Sequence, residues 1–349
     1  MAIMNNDGEL TEIMEGSFLL PLRNIEELAN EYGKGGKLLI ETPLGFKGVG
    51  LELARYLSNK GFNVYLSGRN VWGACDFSMV SDYRLIIHLG HALPLNIFRI
   101  INNNLRVIGQ KHNGDVISVE IGNNSHVVFA PVYYKPQPEL LVRLRETAGG
   151  IVETNPGMLV AYASPYRLYA SEIAGMFDLP IAQGPMTGCF IQFPISSPVL
   201  FVGSGYFYPL TFKLLRPRTT VYLLDVFRNM VEDVEHVYRR YLAMKVRMLD
   251  EFRNAKLVGI VISRKPGQLR QDLVNPLIKK MRELGKDFVI IELDEVSPDF
   301  INNLPVDAVI NTACPRVGID DLDRFIKPVV NAGDILKTNT LDLNNLLVW

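Results

Sequence analysis

Between Asp178 and Lys213 the chain runs for 34 residues, 179–212, without an Asp, Glu, Lys or Arg, although 21% of its 349 residues are charged. A stretch so long and so free of charge has to be buried, either in a bilayer or in a protein core. Pro180, Pro185, Pro194, Pro198 and Pro209 remove backbone donors from it, and Gly184, Gly188, Gly203 and Gly205 interrupt it further. A bilayer tolerates no such break in backbone hydrogen bonding, so the stretch is not a transmembrane helix. It predicts instead a buried loop over 184–198, a short core strand over 199–203, and a glycine turn leading into Tyr206-Phe-Tyr-Pro-Leu210. Cys189 lies inside the loop, and its surroundings are expected to be dry.

The remainder of the chain alternates strand and helix patterns, which predicts α/β layers with parallel strands. In the first third, strands are expected over 37–42, 62–66 and 83–89, with a helix over 48–59 closed by Gly61 and a loop, 71–76, that carries Cys75. The middle third repeats the plan with a strand over 158–163, a helix over 165–177, the Cys189 loop and the strand 199–203. A charge-rich segment, 221–250, is expected to be a connector helix. The last third predicts strands over 256–262, 288–293 and 306–311, with helices over 269–284 and 297–303 and Cys314 just after the final strand. Cys75 is followed by Gly90 and Pro94-Leu95, and Cys189 by Gly203 and Pro209-Leu210, at nearly the same spacing; this points to an internal duplication. The expected fold is three similar parallel-sheet α/β domains around a pseudo-threefold axis, covering 1–135, 136–250 and 251–349.

Composition excludes several roles. A net charge of −1 leaves no basic excess for an extended nucleic-acid footprint. The N-terminus has neither a basic flank nor an apolar run, so a cytoplasmic protein without a membrane partner is expected. Three widely separated cysteines fit neither a disulfide scaffold nor a paired redox motif. Each stands beside a strand end, where ligands of α/β layers bind. Three thiolates brought to one point could hold an iron-sulfur cubane and leave one iron open to substrate. Zinc held by the cysteines and one histidine is a second option. His88 and His91 are near Cys75 but are expected to point to opposite faces, one of them as a core histidine. A buried packing role for the cysteines is the bland alternative. Two basic features carry weaker signals. Arg264, Lys265 and Arg270 flank a turn before a helix and suit an anionic group or only solvent. Arg316 could pair with a substrate carboxylate or with the aspartates that follow it.

Four ordered motifs then resemble a known family: Trp72-Gly-Ala-Cys75-Asp76 with Ile87-His-Leu-Gly-His91; Gly188-Cys189 with Leu200-Phe-Val-Gly-Ser-Gly205 and Phe207-Tyr-Pro-Leu210; Ser263-Arg-Lys-Pro-Gly-Gln-Leu-Arg270; and Thr312-Ala-Cys-Pro-Arg316 with Ile319-Asp-Asp321 and Lys327-Pro-Val329. They are similar to those of the 2-(3-amino-3-carboxypropyl)histidine synthases of diphthamide synthesis, in the archaeal single-gene form. The resemblance implies a homodimer, or a heterodimer with a paralogue, binding a [4Fe-4S] cluster through Cys75, Cys189 and Cys314. It implies S-adenosylmethionine on the open iron, walled by Gly203, Ser204, Gly205, Gln268 and Arg270. It also implies an external electron donor and transfer of a 3-amino-3-carboxypropyl radical to a histidine of translation elongation factor 2. Where relatives read Phe-His-Pro-Leu this chain has Tyr208. The other readings are a non-catalytic partner subunit and a quinolinate synthase-like enzyme.

Overall fold

The computed structural model describes residues 10–14, 16–78, 82–93, 105–111, 116–121, 125–188, 191, 193, 195 and 198–336. The chain forms two compact units, Met1–Ser204 with Leu224–Val231, and Gly205–Leu223 with Glu232–Trp349. The expected α/β class is borne out.

The first unit opens with β1 (Thr11–Ile13), β2 (Phe18–Leu20) and α1 (Leu22–Leu28), followed by β3 (Lys37–Glu41), α2 (Lys47–Asn59), β4 (Asn63–Leu66) and β5 (Leu85–Leu89). An antiparallel ribbon, β6 (Leu105–Lys111), β7 (Val116–Ile121) and β8 (Ser125–Ala130), leads to β9 (Tyr133–Tyr134). The main sheet has the order β4-β3-β5-β8-β7-β6, parallel from β4 to β8. Because β3, β5 and β8 are covered on both faces, their alternate residues enter two different cores. Leu38, Ile40, Leu85, Ile87, Leu89 and Val128 meet Val49, Leu53 and Leu57 of α2. Leu39, Ile86, Val127 and Phe129 meet Ala74 and Phe77 on the other side. The loop around Cys75 is therefore part of the second core.

After α3 (Pro138–Thr154), β10 (Leu159–Tyr162) and α4 (Arg167–Phe177) come residues 181 and 186, which bridge β10 in parallel, and then β11 (Val199–Gly203), paired in parallel with β10. Every residue of β11 is buried, as its uncharged sequence requires. The second unit begins with α5 (Phe207–Leu215). Within β12 (Val221–Asp225) and β13 (Met230–Asp233) the chain passes from one unit to the other. Then follow α6 (Glu235–Asn254), β14 (Leu257–Ser263), α7 (Val274–Glu283), β15 (Asp287–Leu293), α8 (Pro298–Asn302), β16 (Ala308–Asn311), α9 (Val317–Asp320), β17 (Val329–Asn331) and α10 (Ala332–Leu336). Their sheet, β15-β14-β16-β17, is parallel throughout.

One strand order recurs. The first strand is central and the next two flank it: β4-β3-β5, then the 181–186 segment with β10 and β11, then β15-β14-β16. This is the structural counterpart of the duplication read from sequence.

Three expectations are corrected. The connector helix over 221–250 is two strands and a helix starting only at Glu235. Val221, Leu223 and Leu224 are buried, and Asn229 turns the chain at φ 51°. The helix over 269–284 begins at Val274, since Pro276 lacks the N–H that a helix interior needs and is tolerated only in a first turn. His88 and His91 do not diverge. Gly90 adopts φ 85°, which returns His91 toward His88 until Nε2 of one and Nδ1 of the other are 3.0 Å apart.

A Cβ on Gly90 would stand 2.6 Å from the Phe46 ring and in a left-handed conformation. Gly90→Ala is therefore expected to lower stability by roughly 1–3 kcal/mol, read as a fall in the urea midpoint; an unchanged midpoint would show that this turn is not constrained.

Candidate functional site

Cys75 is half-buried in a loop that leaves β4 and is anchored at both ends. Asp76, fully buried, accepts from the Trp72 N–H at 3.2 Å, and the Asp76 N–H donates to the Gly73 carbonyl at 2.9 Å, closing a turn around the thiol. The Arg69 guanidinium reaches Asp76 Oδ1 at 2.5 Å and Glu41 Oε1 at 3.1 Å, so one cation serves two carboxylates that have no exposure of their own. Glu41, the last residue of β3, also accepts from the Ser78 N–H at 3.0 Å and the Ser78 hydroxyl at 2.5 Å. His88 Nδ1 is 3.7 Å from Glu41 Oε2, and the His91 imidazole is held neutral by burial first and by its histidine neighbour second. Burial works to raise the Glu41 carboxyl, but His88 and the two Ser78 hydrogen bonds outweigh it and bring it down to about 2.

Cys189 lies outside the described residues. Its flanks are described: Met186 and Thr187 are buried, Gly188 has φ 56°, and Phe193 is buried. Met186 and Thr187 thus enter the loop buried, whereas Gly188 is half-buried and Pro180, Ile181 and Gln183 are exposed, so the uncharged stretch is dry only in part.

Cys314 is half-buried just beyond β16. Asn311 ends that strand, and its amide donates to the Cys314 carbonyl at 2.8 Å and to Asn331 Oδ1 at 2.9 Å. Arg316 is 3% exposed and makes a bidentate pair with Asp320 at 2.7 and 2.5 Å. It also donates to the Thr211 hydroxyl at 2.6 Å and stacks on the Phe207 ring, its guanidinium carbon 4.1 Å from the centroid. Of the two roles open from the sequence, pairing with the following aspartates is the one observed.

Of the residues expected to wall the S-adenosylmethionine pocket, Gly203 and Ser204 are in the first unit and Gly205, Gln268 and Arg270 in the second. The Ser204 hydroxyl donates to buried Asp225 at 3.1 Å, and Asp225 also accepts the N–H groups of Phe227 and Arg228. A Cβ on Gly203 would be 2.7 Å from Phe201, and Gly205 has φ 70°; neither position admits a larger residue without strain. Gln268 is buried, and Arg270 is held bidentately by Asp272 at 2.8 and 2.7 Å. An anionic ligand would have to share that guanidinium.

Sequence reasoning missed Glu41, Arg69, Asn311 and Asn331. A signal was present for three of them, a charged or amide residue closing an apolar strand, as in Leu38-Leu-Ile-Glu41 and Ala308-Val-Ile-Asn311; Arg69, in the loop after β4, carried none. Among the described residues no three His, Cys, Asp or Glu side chains gather to hold a metal, and the third expected ligand falls outside them. The donor set nevertheless suits an iron-sulfur group. Two half-buried thiols stand in loops beside parallel-strand ends, with no competing carboxylate ligand cluster.

The arrangement defines an α/β protein with cysteine-bearing loops at the ends of parallel strands. Its fold is shared with two crystal structures of Dph2 from Pyrococcus horikoshii, one of them with a 4Fe-4S cluster. To that one the TM-score is 0.73 at 19% identity, covering 97% of this chain and 95% of that one. Residues 165–337 match the family described as putative diphthamide synthesis protein, in agreement with the resemblance that the motifs carry. The 2-(3-amino-3-carboxypropyl)histidine synthase of P. horikoshii is 24% identical over 323 residues, 86% of this chain and 84% of the relative. That of Methanocaldococcus jannaschii is 25% identical over 321 residues, 88% and 85% respectively. Subunit 1 of the human synthase is 26% identical over 160 residues, 43% of this chain and 35% of that subunit. Among the described residues no helix is long and apolar enough to cross a membrane.

Two outcomes test this geometry. Arg69→Met leaves two buried carboxylates without their cation and is expected to cost about 3–5 kcal/mol, seen as a large drop in the urea midpoint that Lys37→Met, on an exposed strand end, does not share. Glu41 titrates lower in the folded chain than its ordinary 4.5, so its stabilisation is complete above that pH and is lost as pH falls through about 2. Glu41→Gln should flatten the stability profile between those two values; a profile as steep as the parent's would show that Glu41 is not the group responsible.

Proposed function

We propose that this chain is a 3-amino-3-carboxypropyl transferase of diphthamide biosynthesis, acting on a histidine of translation elongation factor 2. Its resident group would be a [4Fe-4S] cluster held by Cys75, Cys189 and Cys314, one from each of three α/β repeats spanning 1–135, 136–250 and 251–349. The observation that carries the reading is the recurrence of one strand order three times, with Cys75 and Cys314 in loops beside the first and third and Cys189 between residue 186 and β11 in the sequence of the second, in a chain matched along most of its length by synthases of that name.

Held by Cys75, Cys189 and Cys314, the cluster would supply the electron for reductive cleavage of the sulfur to Cγ bond of S-adenosylmethionine, giving methylthioadenosine and a 3-amino-3-carboxypropyl radical that would add to C2 of the histidine, after which one electron and the C2 proton would leave the ring. The chain's own residues set the conditions. The Arg69 bridge fixes the backbone around Cys75 by engaging the Glu41 and Asp76 carboxylates, which leaves them occupied with a cation and not turned to iron. Met186, Thr187 and Phe193, the buried neighbours of Cys189 in sequence, would give its surroundings a low dielectric that tunes the potential of the metal. Gly203 and Gly205 offer backbone without side chains, as close approach by an adenosyl or methionyl group requires. Gln268 and Arg270 supply amide and guanidinium donors suited to a carboxylate, Arg270 by exchanging or sharing Asp272. Tyr208, on α5, brings a phenol where relatives carry an imidazole, and any proton transfer there would run at a different pH. A cytoplasmic homodimer fed by an external reductant completes the reading.

After anaerobic purification and reconstitution we expect about four irons and four sulfides per chain. Single Cys→Ala changes at residues 75, 189 and 314 are each expected to abolish them. Dithionite with S-adenosylmethionine should then yield methylthioadenosine. Colourless, iron-free protein after reconstitution would defeat the reading, and iron uptake without methylthioadenosine would turn it toward a partner subunit.

A further inference from the structure

We propose that the side-chain amides of Asn311 and Asn331 are positioning residues that fix the Cys314 thiol by gripping the backbone on both sides of it. The proposal rests on Cys314 serving as a ligand. Asn311 ends β16 and Asn331 ends β17, and the two face each other in the sheet register. Both are 2% exposed. Asn311 Oδ1 accepts the Ala313 N–H at 3.1 Å, and its Nδ2 donates to the Cys314 carbonyl at 2.8 Å and to Asn331 Oδ1 at 2.9 Å. Asn331 Nδ2 donates to the Pro315 carbonyl at 2.9 Å. Three successive residues, with Cys314 in the middle, are therefore each tied to one of two linked amides.

The orientation of both amides is forced. The Asn311 nitrogen faces two oxygen acceptors and its oxygen faces an N–H, so neither amide can be reversed without setting like groups against each other. The pair is itself backed. The Asn331 N–H donates to Asp334 at 3.3 Å, and Asp334 pairs with Lys245 at 2.6 Å, both of those side chains being less than a tenth exposed. On the opposite side Gly318 packs so closely that a Cβ there would be 2.5 Å from Asn331 Oδ1. Buried amides stabilise only when every donor and acceptor is used, and here the partners used are those of the cysteine loop. Outer groups of this kind decide how rigidly a ligand presents its donor atom. Because both are neutral, they do so without adding a charge beside it.

Asn311→Asp and Asn331→Asp keep the shape and remove the donors, setting a carboxylate oxygen against a carbonyl oxygen. In the metal-free full chain, the alkylation rate of Cys314 by iodoacetamide is compared with that of Cys75 in the same sample by peptide mass. In the reconstituted protein, iron release to a chelator and the reduction potential are measured. The control is Asp307→Asn, which loosens the Lys256 and Leu257 N–H groups at the other end of the same sheet. Both Asn variants are expected to raise the alkylation ratio about ten-fold or more, to speed iron release and to move the potential, while Asp307→Asn leaves the ratio unchanged. Should an Asp variant fail to fold, Gly318→Ala displaces the Asn331 amide from outside and is expected to raise the same ratio. An unchanged ratio in these variants, or an equal rise in Asp307→Asn, would overturn the clamp. A parent protein that takes up no iron would instead overturn the cluster reading, and the alkylation ratio would still decide the clamp.

Discussion

A carboxylate taken out of water must find its counter-charge and its hydrogen bonds inside the protein, and the Cys75 loop is built around that requirement. Glu41 and Asp76 are both fully buried, and both are answered by Arg69. Because the three groups belong to the end of β3 and to the segment after β4, satisfying their charges also fixes where the loop lies. The apolar residues of the same loop, Ala74 and Phe77, then complete the second core of the sheet. Removing the cation would leave two uncompensated charges in the interior, so the loop has one stable arrangement rather than several.

The last sheet meets the same need with different chemistry. Around Cys314 the anchoring groups are amides, and the charged groups stand further back: Arg316 against Asp320 and Phe207, Lys245 against Asp334. One loop is held by an ion pair and the other by neutral dipoles. The first resists displacement through strong attraction at few points, the second through directional bonds at several.

Much of the fold was legible because it rests on pattern. The strands around 37–42, 199–203 and 256–262 are apolar runs bounded by turn residues, and the glycines closing helices lie where left-handed backbone is needed. The 221–250 segment misled because Asp225 reads as a surface charge, whereas it is buried and satisfied by the Ser204 hydroxyl and two backbone N–H groups. The antiparallel ribbon from β6 to β8 was not read at all, since it has no counterpart in the repeated plan. At the site, the cysteines stood out as residue types, but their supports did not. Glu41, Asn311 and Asn331 owe their roles to partners brought from distant sequence, and the His88 and His91 contact depends on the backbone angle of Gly90.

The recurring strand order also bears on how such a chain came to be. Cys75 lies between the second and third strands of its repeat, and Cys189 falls in the corresponding interval between residue 186 and β11. Cys314 comes after the third strand, β16, instead of between β15 and β16. Copying a domain together with its cysteine would have kept the thiol in the same interval each time. That holds for Cys75 and Cys189 and not for Cys314, which stands instead on a strand end braced by the neighbouring strand β17.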